Sequence, residues 1–484
     1  MSGEHVLVAG AGIAGLGVAL ALGDTRQVTL VDRDRAAPEG DAEDAFLHWE
    51  RRGATQLRHS HVFLGRLTTL IETRYPELLA ELTGAGARIF TFQDGLPPPL
   101  RPDYVAQSGD AGLSILFSRR TTLELVMRRY VKRLPNVRFL DEAGVRGVLM
   151  KDAAVAGLKV ERGGVVEKMA ADVTVDASGR NTSFPDWLRA EGVAVTEEES
   201  PAGILYFTRH YRLRDGQDDP PRDGTPGAGD LGYIKFGVFP ADNRHFSVTL
   251  AIPEIETELR VAVVKPDVFD AVCAEIPGCA RWTDPARSEP ASQVFAMGNL
   301  KSTWRQYRPM PANFFALGDA AVRTNPLYGR GCSAGIVHAH ILREALDATP
   351  DPMARAEKFA ADTRKALRPF YDSMVRQDRQ SIRRAENERD PDYKPSWRAR
   401  AIKSLVEDAI GPATRGDIGV LRAFSRAFHM IDDPNEWWKR PATVARLLGF
   451  WAMPKGIKRA RGFYPPKFGP ERAEMIAKLK LAET

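Results

Sequence analysis

Hydrophobic and polar positions are patterned in three ways along the chain, and each pattern predicts a different architecture. Short apolar-rich runs at 6–9, 28–31, 173–176 and 313–317 predict strands of the kind a buried parallel sheet uses, and 136–140 reads as a further strand. Residues at helical spacing follow several of them: small and apolar residues up to Leu22, then Leu123, Val126, Met127 and Tyr130 within 121–132, and a stripe from about Ser333 to Leu346. A further helical stripe covers 62–82 through Leu64, Leu67, Leu70, Ile71, Leu78, Leu79 and Leu82, and 144–150 with 154–160 predict a hairpin. Between 195 and 300 the period falls to about two, at 206–212, 233–239 and 245–252, predicting antiparallel strands of a separate sheet. From about 353 the pattern is helical again, over 353–385, 399–410, 418–430 and 441–450. Residues 35–55 and 85–113 read as loops.

The first strand breaks into a glycine turn carrying Gly10, Gly12 and Gly15, the turn opens a helix, and the second strand ends on Asp32. Strand, glycine turn, helix, strand and acid together form the complete dinucleotide fingerprint. Gly10 permits the tight turn, Gly12 lets a pyrophosphate approach the backbone, and Gly15 lets helix and strand pack closely. The helix N-terminus offers N–H groups to the phosphates, and Asp32 is placed to accept from a ribose hydroxyl. Ala14 and Arg33 flank these positions.

Composition narrows the class. The chain has 484 residues, 43% hydrophobic and 27% charged, which describes a globular protein of two or three domains. Three cysteines form no disulfide framework and fit a reducing compartment. A strand beginning near residue 5 leaves no room for a signal peptide, and no apolar run is long enough to span a bilayer, so a cytoplasmic location is expected. The net charge of +5 is concentrated after residue 385, with 19 Lys+Arg against 13 Asp+Glu. No nucleic-acid-binding motif accompanies it. That region mixes cations with aromatics over 450–464, which suits either a membrane surface or a helical domain that packs its aromatics inward.

Other candidates for chemistry lie further along. His59 and His61 flank a serine without a third ligand at metal spacing, so no metal is expected there. The basic start of the 121–132 helix, Arg119 and Arg120, can put an arginine beside a phosphate. The strand at 173–176 runs into Ala177, Ser178 and Gly179, a second turn near phosphate. Gly318 and Asp319 end a late strand, and a loop with Pro326, Gly329 and Gly331 feeds a helix through Cys332 and Ser333. A carboxylate there can hold a polyol chain, and the helix N-terminus can stabilise negative charge on an electron-rich ring. Aromatics of the 195–300 sheet, Tyr206, Tyr211, Tyr233, Phe236 and Phe239, suit an apolar pocket or plain core.

The fingerprint, the mid-chain Asp-Ala-Ser-Gly strand end and the late Gly-Asp motif occur in an order that resembles FAD-dependent monooxygenases of the para-hydroxybenzoate hydroxylase fold, with their relatives the geranylgeranyl reductases and flavin halogenases. The resemblance covers about 5–345. It implies an α/β fold: a Rossmann-like, glutathione-reductase-like FAD-binding domain from 1–194 and 296–350, an inserted antiparallel-sheet substrate domain at 195–295, and a C-terminal helical extension over 351–484. It also implies that Gly10, Gly12, Ala14, Gly15, Asp32 and Arg33 serve the ADP half of FAD, that Arg119 or Arg120 lies near the pyrophosphate, and that Asp319 holds the ribityl chain. Pro326, Gly329, Gly331, Cys332 and Ser333 would run beside the ring system. Arg58 belongs to a Gln-x-Arg-His-x-His segment, 56–61, resembling one in uncharacterised bacterial members and polyether-type epoxidases.

By the same resemblance the activity is oxygen insertion, a hydroxylation or epoxidation through a flavin C4a-(hydro)peroxide on an apolar or aromatic small molecule, with O2 as co-substrate. Electrons would come from NAD(P)H or from a separate flavin reductase. Ser178 stands where the aromatic hydroxylases carry Asp, and this favours a second reading, reduction of a lipid-like double bond. The halogenase Trp-x-Trp-x-Ile-Pro signature is absent, and a flavoprotein without turnover is the remaining alternative. His59, His61, Arg209, His210 and Tyr328 are the polar candidates for direct chemistry.

Overall fold

A computed structural model describes residues 3–480. Its centre is a five-stranded parallel sheet in the order Phe314–Ala316, Val173–Asp176, His5–Ala9, Gln27–Val31, Val137–Leu140. Every pairing is parallel, with Val8 opposite Leu30 on one side and Val175 on the other. The apolar character of the four strands other than the edge strand Val137–Leu140 follows from burial on both faces. The helices Ile13–Leu22 and Gly331–Ala348 pack on each other beside this sheet, and glycine at position 17 admits Ile336 and Ala339.

A three-stranded antiparallel sheet (Ala143–Lys151, Ala154–Arg162, Val165–Ala170) is inserted in the chain between Val137–Leu140 and Val173–Asp176. The larger antiparallel sheet runs Ala228–Asp230, Lys235–Pro240, His245–Pro253, Ile204–Leu213, Ser288–Pro290, with Phe295–Met297 also on Ile204–Leu213. Chain leaves and returns on a pair of antiparallel strands, Ala194–Pro201 and Lys301–Arg308, which the period-two pattern did not reveal. The two sheets have separate cores: one around the parallel strands, one holding Phe207, Phe246, Phe269 and their neighbours.

Four differences from the sequence reading have plain causes. The stretch read as a loop at 35–55 contains the helix Ala42–His48, started by Asp41, whose carboxylate accepts from the N–H groups of Glu43 and Asp44. The stripe at 62–82 is two helices, Gly65–Arg74 and Pro76–Gly84, because Pro76 cannot continue the helix before it. The stretch read as a loop at 85–113 holds the strand Arg88–Phe90, paired with Ile115–Phe117, and three short 3-10 turns. The helix Pro352–Arg389 is not set apart from what precedes it: Phe359, Leu367, Phe370, Tyr371 and Met374 are buried in the parallel-sheet core. Beyond it, shorter helices bury Trp437, Phe450 and Phe463 together in a small core of their own, and Met475 and Ile476 pack under the second sheet. Among the described residues no helix is long and apolar enough to cross a membrane.

Candidate functional site

One cleft of about 2060 Å³ runs from the glycine turn, between the parallel sheet and the larger antiparallel sheet, to the C-terminal helices. Its first end is a backbone cradle. Gly10 has φ +101°, and a Cβ there would meet the Ala177 carbonyl oxygen at 2.5 Å. Gly12 has nothing within 4 Å of its Cβ position, so its face is open to the cleft. It is also the N-cap of Ile13–Leu22 and supplies no side chain to that helix's first N–H groups. An open backbone and an uncapped positive helix end are what a pyrophosphate requires. Ala14 and Arg33 line the same end.

Asp32 lines the cleft with much of its acceptor capacity already in use. Its Oδ2 accepts from the Ala11 N–H at 3.2 Å and lies 3.0 Å from the Arg51 guanidinium; its Oδ1 accepts from the Asp34 N–H. Arg51 also pairs with Asp34 and Glu124, all three nearly fully buried. This buried arginine in the cleft wall lies in the stretch read as a loop, where no local pattern marked it.

Toward the middle of the cleft, Gly318 and Asp319 meet the start of Gly331–Ala348. Burial pushes the Asp319 carboxyl up from its usual range, against the opposing pull of Arg323, Arg120 and Arg180. The helix is preceded by Pro326, Tyr328 and Gly329, with Gly329 in the left-handed region at φ 64°. Its N-cap, Arg330, makes no side-chain cap bond, so this second helix also turns bare N–H groups to the cleft. Gly331 and Cys332 line the wall, and the Arg120 guanidinium lies 3.2 Å from the Cys332 sulfur. Burial raises the Cys332 thiol above its usual value.

Two polar networks face the cleft from the other side. His59 Nδ1 lies 3.0 Å from the Thr208 hydroxyl, which continues through Thr249 to Ser60. Burial holds His59 neutral, down to about 4, and His61 likewise, down to about 3. In the second network Tyr328 donates to Asp378 at 2.9 Å, the Asn325 amide donates to the same oxygen at 2.9 Å, and Tyr206 donates to Asn325 at 2.8 Å. The other Asp378 oxygen is buried without a hydrogen bond, and burial pushes this carboxyl up to about 6. Asp378 was not singled out from sequence. It occupies the inward stripe of its helix, one turn after Met374, where an acid among apolar positions is itself a signal.

Several anticipated residues stand elsewhere. Arg119 turns away from the cleft: its guanidinium bonds Asp242 at 2.8 Å and Glu43 at 2.8 Å, and Asp242 also takes its N–H. As N-cap of Arg120–Lys132 it points to the opposite side from Arg120, which does line the cleft. Arg58 donates to the carbonyls of Phe46, Leu47 and Trp49, closing the end of the Ala42–His48 helix. Arg209 pairs with Asp270 at 2.6 Å, and His210, pushed down to about 3 by burial, bonds the Arg58 carbonyl; neither lines the cleft. Ser333 is buried behind the wall with an unpartnered hydroxyl. Gly15 lies behind the cradle, not in it. Asp176 is spent on its own turn, accepting from Ser178 and Thr182, while Ser178 and Gly179 reach the cleft.

No known family profile matches the chain. Over 395 residues it is 29% identical to Protein Rv3254 of Mycobacterium tuberculosis (strain ATCC 25618 / H37Rv), covering 72% of this chain and 74% of that protein. Among solved structures it is similar to p-nitrophenol 4-monooxygenase PnpA from Pseudomonas putida DLL-E4, with TM-score 0.59 and 16% identity over 89% of this chain and 98% of that one. It is also similar to the myxobacterial chondrochloren halogenase CndH, with TM-score 0.56 and 16% identity over 86% and 91%. These likenesses show the fold, that of FAD-dependent monooxygenases and halogenases of the para-hydroxybenzoate hydroxylase type.

Proposed function

We propose that the chain is an FAD-dependent monooxygenase that hydroxylates or epoxidises an apolar or aromatic small molecule. The observation that carries this is one continuous cleft holding the open Gly12 face, the Asp319 carboxyl and two uncapped helix N-termini. FAD, when bound, supplies the electron transfer and the activation of O2. The chain's own residues bind and orient. Gly10, Gly12 and Ala14 receive the pyrophosphate against helix N–H groups, with Arg120, the one of the two candidate arginines that lines the cleft, beside it, and Asp319 accepts from the ribityl hydroxyls. The N-terminus of Gly331–Ala348 stabilises negative charge beside Cys332.

In this reading 1–194 with 296–350 hold the cofactor, 195–295 form the substrate wall, and the region from 351 closes the cleft mouth. Tyr328 stands at the wall with Asp378 behind it. A substrate hydroxyl presented to Tyr328 donates to the phenol oxygen while the Tyr328 proton moves along the existing hydrogen bond to Asp378, whose carboxyl, raised to about 6 by burial, is mostly ionised at neutral pH and basic enough to accept it in passing. The neutral His59 and the Thr208, Thr249 and Ser60 hydroxyls are the second polar face for orienting substrate.

The test starts with purified protein loaded with FAD and reduced anaerobically, by NAD(P)H or by a reductase. It is then mixed with 18O2 and a panel of phenols and alkenes. Incorporation of one labelled oxygen into a product supports the proposal; a saturated product formed without oxygen supports the double-bond reductase reading, which the Ser178 departure favours. A protein that takes up no FAD overturns both.

A further inference from the structure

The exposed apolar surface of this chain is unevenly distributed. Among the described residues, 11 of the 20 exposed large apolar or aromatic side chains lie between 393 and 457. They are arranged, not scattered. On the helix Pro441–Ala452, Val444, Leu448 and Trp451 recur at helical spacing on the outward face, while Leu447 and Phe450 are buried beside them. Ile402 and Val406, also one turn apart, continue the patch, joined to it by the Trp451 indole, which donates to Ser404 at 3.0 Å. Ile402, Val406 and the exposed Phe428 also line the cleft, so the patch reaches the cleft wall.

The rim is cationic. Residues 394–464 carry 14 Lys+Arg against 6 Asp+Glu, and Lys403, Arg446, Lys455 and Arg459 are exposed around the apolar side chains. That combination selects its occupant. A second copy would bring two positive faces together, and the core of a protein interface is depleted in lysine. Exposed Trp, Phe, Leu and Ile set among lysines and arginines, on helices too short to span, match an anionic bilayer surface. There the rings enter the headgroup boundary while the cations meet lipid phosphates.

We infer that this face docks the protein on an anionic phospholipid bilayer, with the cleft mouth turned to the lipid. The docking stands on the surface alone; that it admits an apolar substrate from the bilayer rests on the oxygenase or reductase reading above.

The test uses the full chain and vesicles of phosphatidylcholine with or without phosphatidylglycerol. The wild-type protein is expected to sediment with the anionic vesicles, less so as salt is raised, and to stay in solution with phosphatidylcholine alone. Leu448→Ser with Trp451→Ser keeps every charge and is expected to weaken binding at least about tenfold. Brominated lipid should quench wild-type tryptophan fluorescence, and this needs no variant to fold. Absence of sedimentation with anionic vesicles at low salt, an unaltered double variant of native circular dichroism, or unquenched fluorescence each overturns the inference. So does a dimer abolished by the same substitutions, which would assign the face to a second copy. FAD uptake is measured separately, so loss of docking and loss of the flavin reading are told apart.

Discussion

Gly12 and Gly15 stand three residues apart and answer to different demands. A Cβ at Gly15 would lie 1.9 Å from the Gly10 carbonyl oxygen, so Gly15→Ala must push the helix off its strand; soluble yield or Tm is expected to fall sharply. Gly12 opens on empty space, so Gly12→Ala should leave the Tm of the FAD-free protein unchanged and weaken flavin binding by about tenfold or more, as titration would measure. Asp378 gives a prediction with a defined sign. Its carboxyl ionises near 3.8 in the unfolded chain and is raised to about 6 in the folded one. The folded state therefore holds the extra proton, and its contribution, full below about 4, is lost as pH rises through about 6. Asp378→Asn does not ionise, so its Tm relative to wild type should climb between pH 4 and 6 and level off above about 7. The glycines were legible because their constraint is local backbone geometry. Arg119 and Arg120 were not separable, since which of two neighbours faces the cleft depends on where Asp242, more than a hundred residues away, comes to rest. Arg51 was invisible for the same reason, its three carboxylate partners being placed by other elements.

Among elements, the parallel strands and their helices were readable because strands buried on both faces are dominated by apolar residues, with few polar positions to blur them. The strands Ala194–Pro201 and Lys301–Arg308 were not, for they are half exposed and rich in charge, and pair across about a hundred residues. The helix Pro352–Arg389 was predicted as a helix, but its partners were not. It closes the main core with Phe359, Leu367, Phe370, Tyr371 and Met374. Each large apolar side chain removed from a core costs about 1.5–3 kcal/mol. Five of them approach the whole stability of a typical domain, about 5–15 kcal/mol. A chain ended at residue 350, after the last motif of the flavin type, is therefore expected to be insoluble or unfolded by circular dichroism. One ended at residue 390 keeps that core and should retain more helical signal.

At the scale of the whole molecule the histidines dominate the response to acid. Seven of the nine are held neutral by burial, with values pushed down to about 3 or 4. Below pH 6.5 the unfolded chain takes up protons that the folded chain refuses, so stability falls as pH drops, by up to about 1.4 kcal/mol per pH unit for each histidine. Asp176, Asp319 and Asp378, whose values are raised, act in the opposite direction but are fewer. Denaturant midpoints should thus fall steeply from pH 6.5 to 5, and a shallow slope there would contradict the burial of these rings. The order of the central sheet has a consequence for synthesis. The cradle is complete in the first 32 residues, but the strand that flanks Val173–Asp176 is Phe314–Ala316, and the helix that seals the core follows it. While the ribosome makes the intervening stretch, the nascent chain presents an unpaired sheet edge and an unsealed core, the surfaces that chaperones hold. On the flavin reading, cofactor capture is therefore expected to be a late event, following the emergence of nearly four-fifths of the polypeptide.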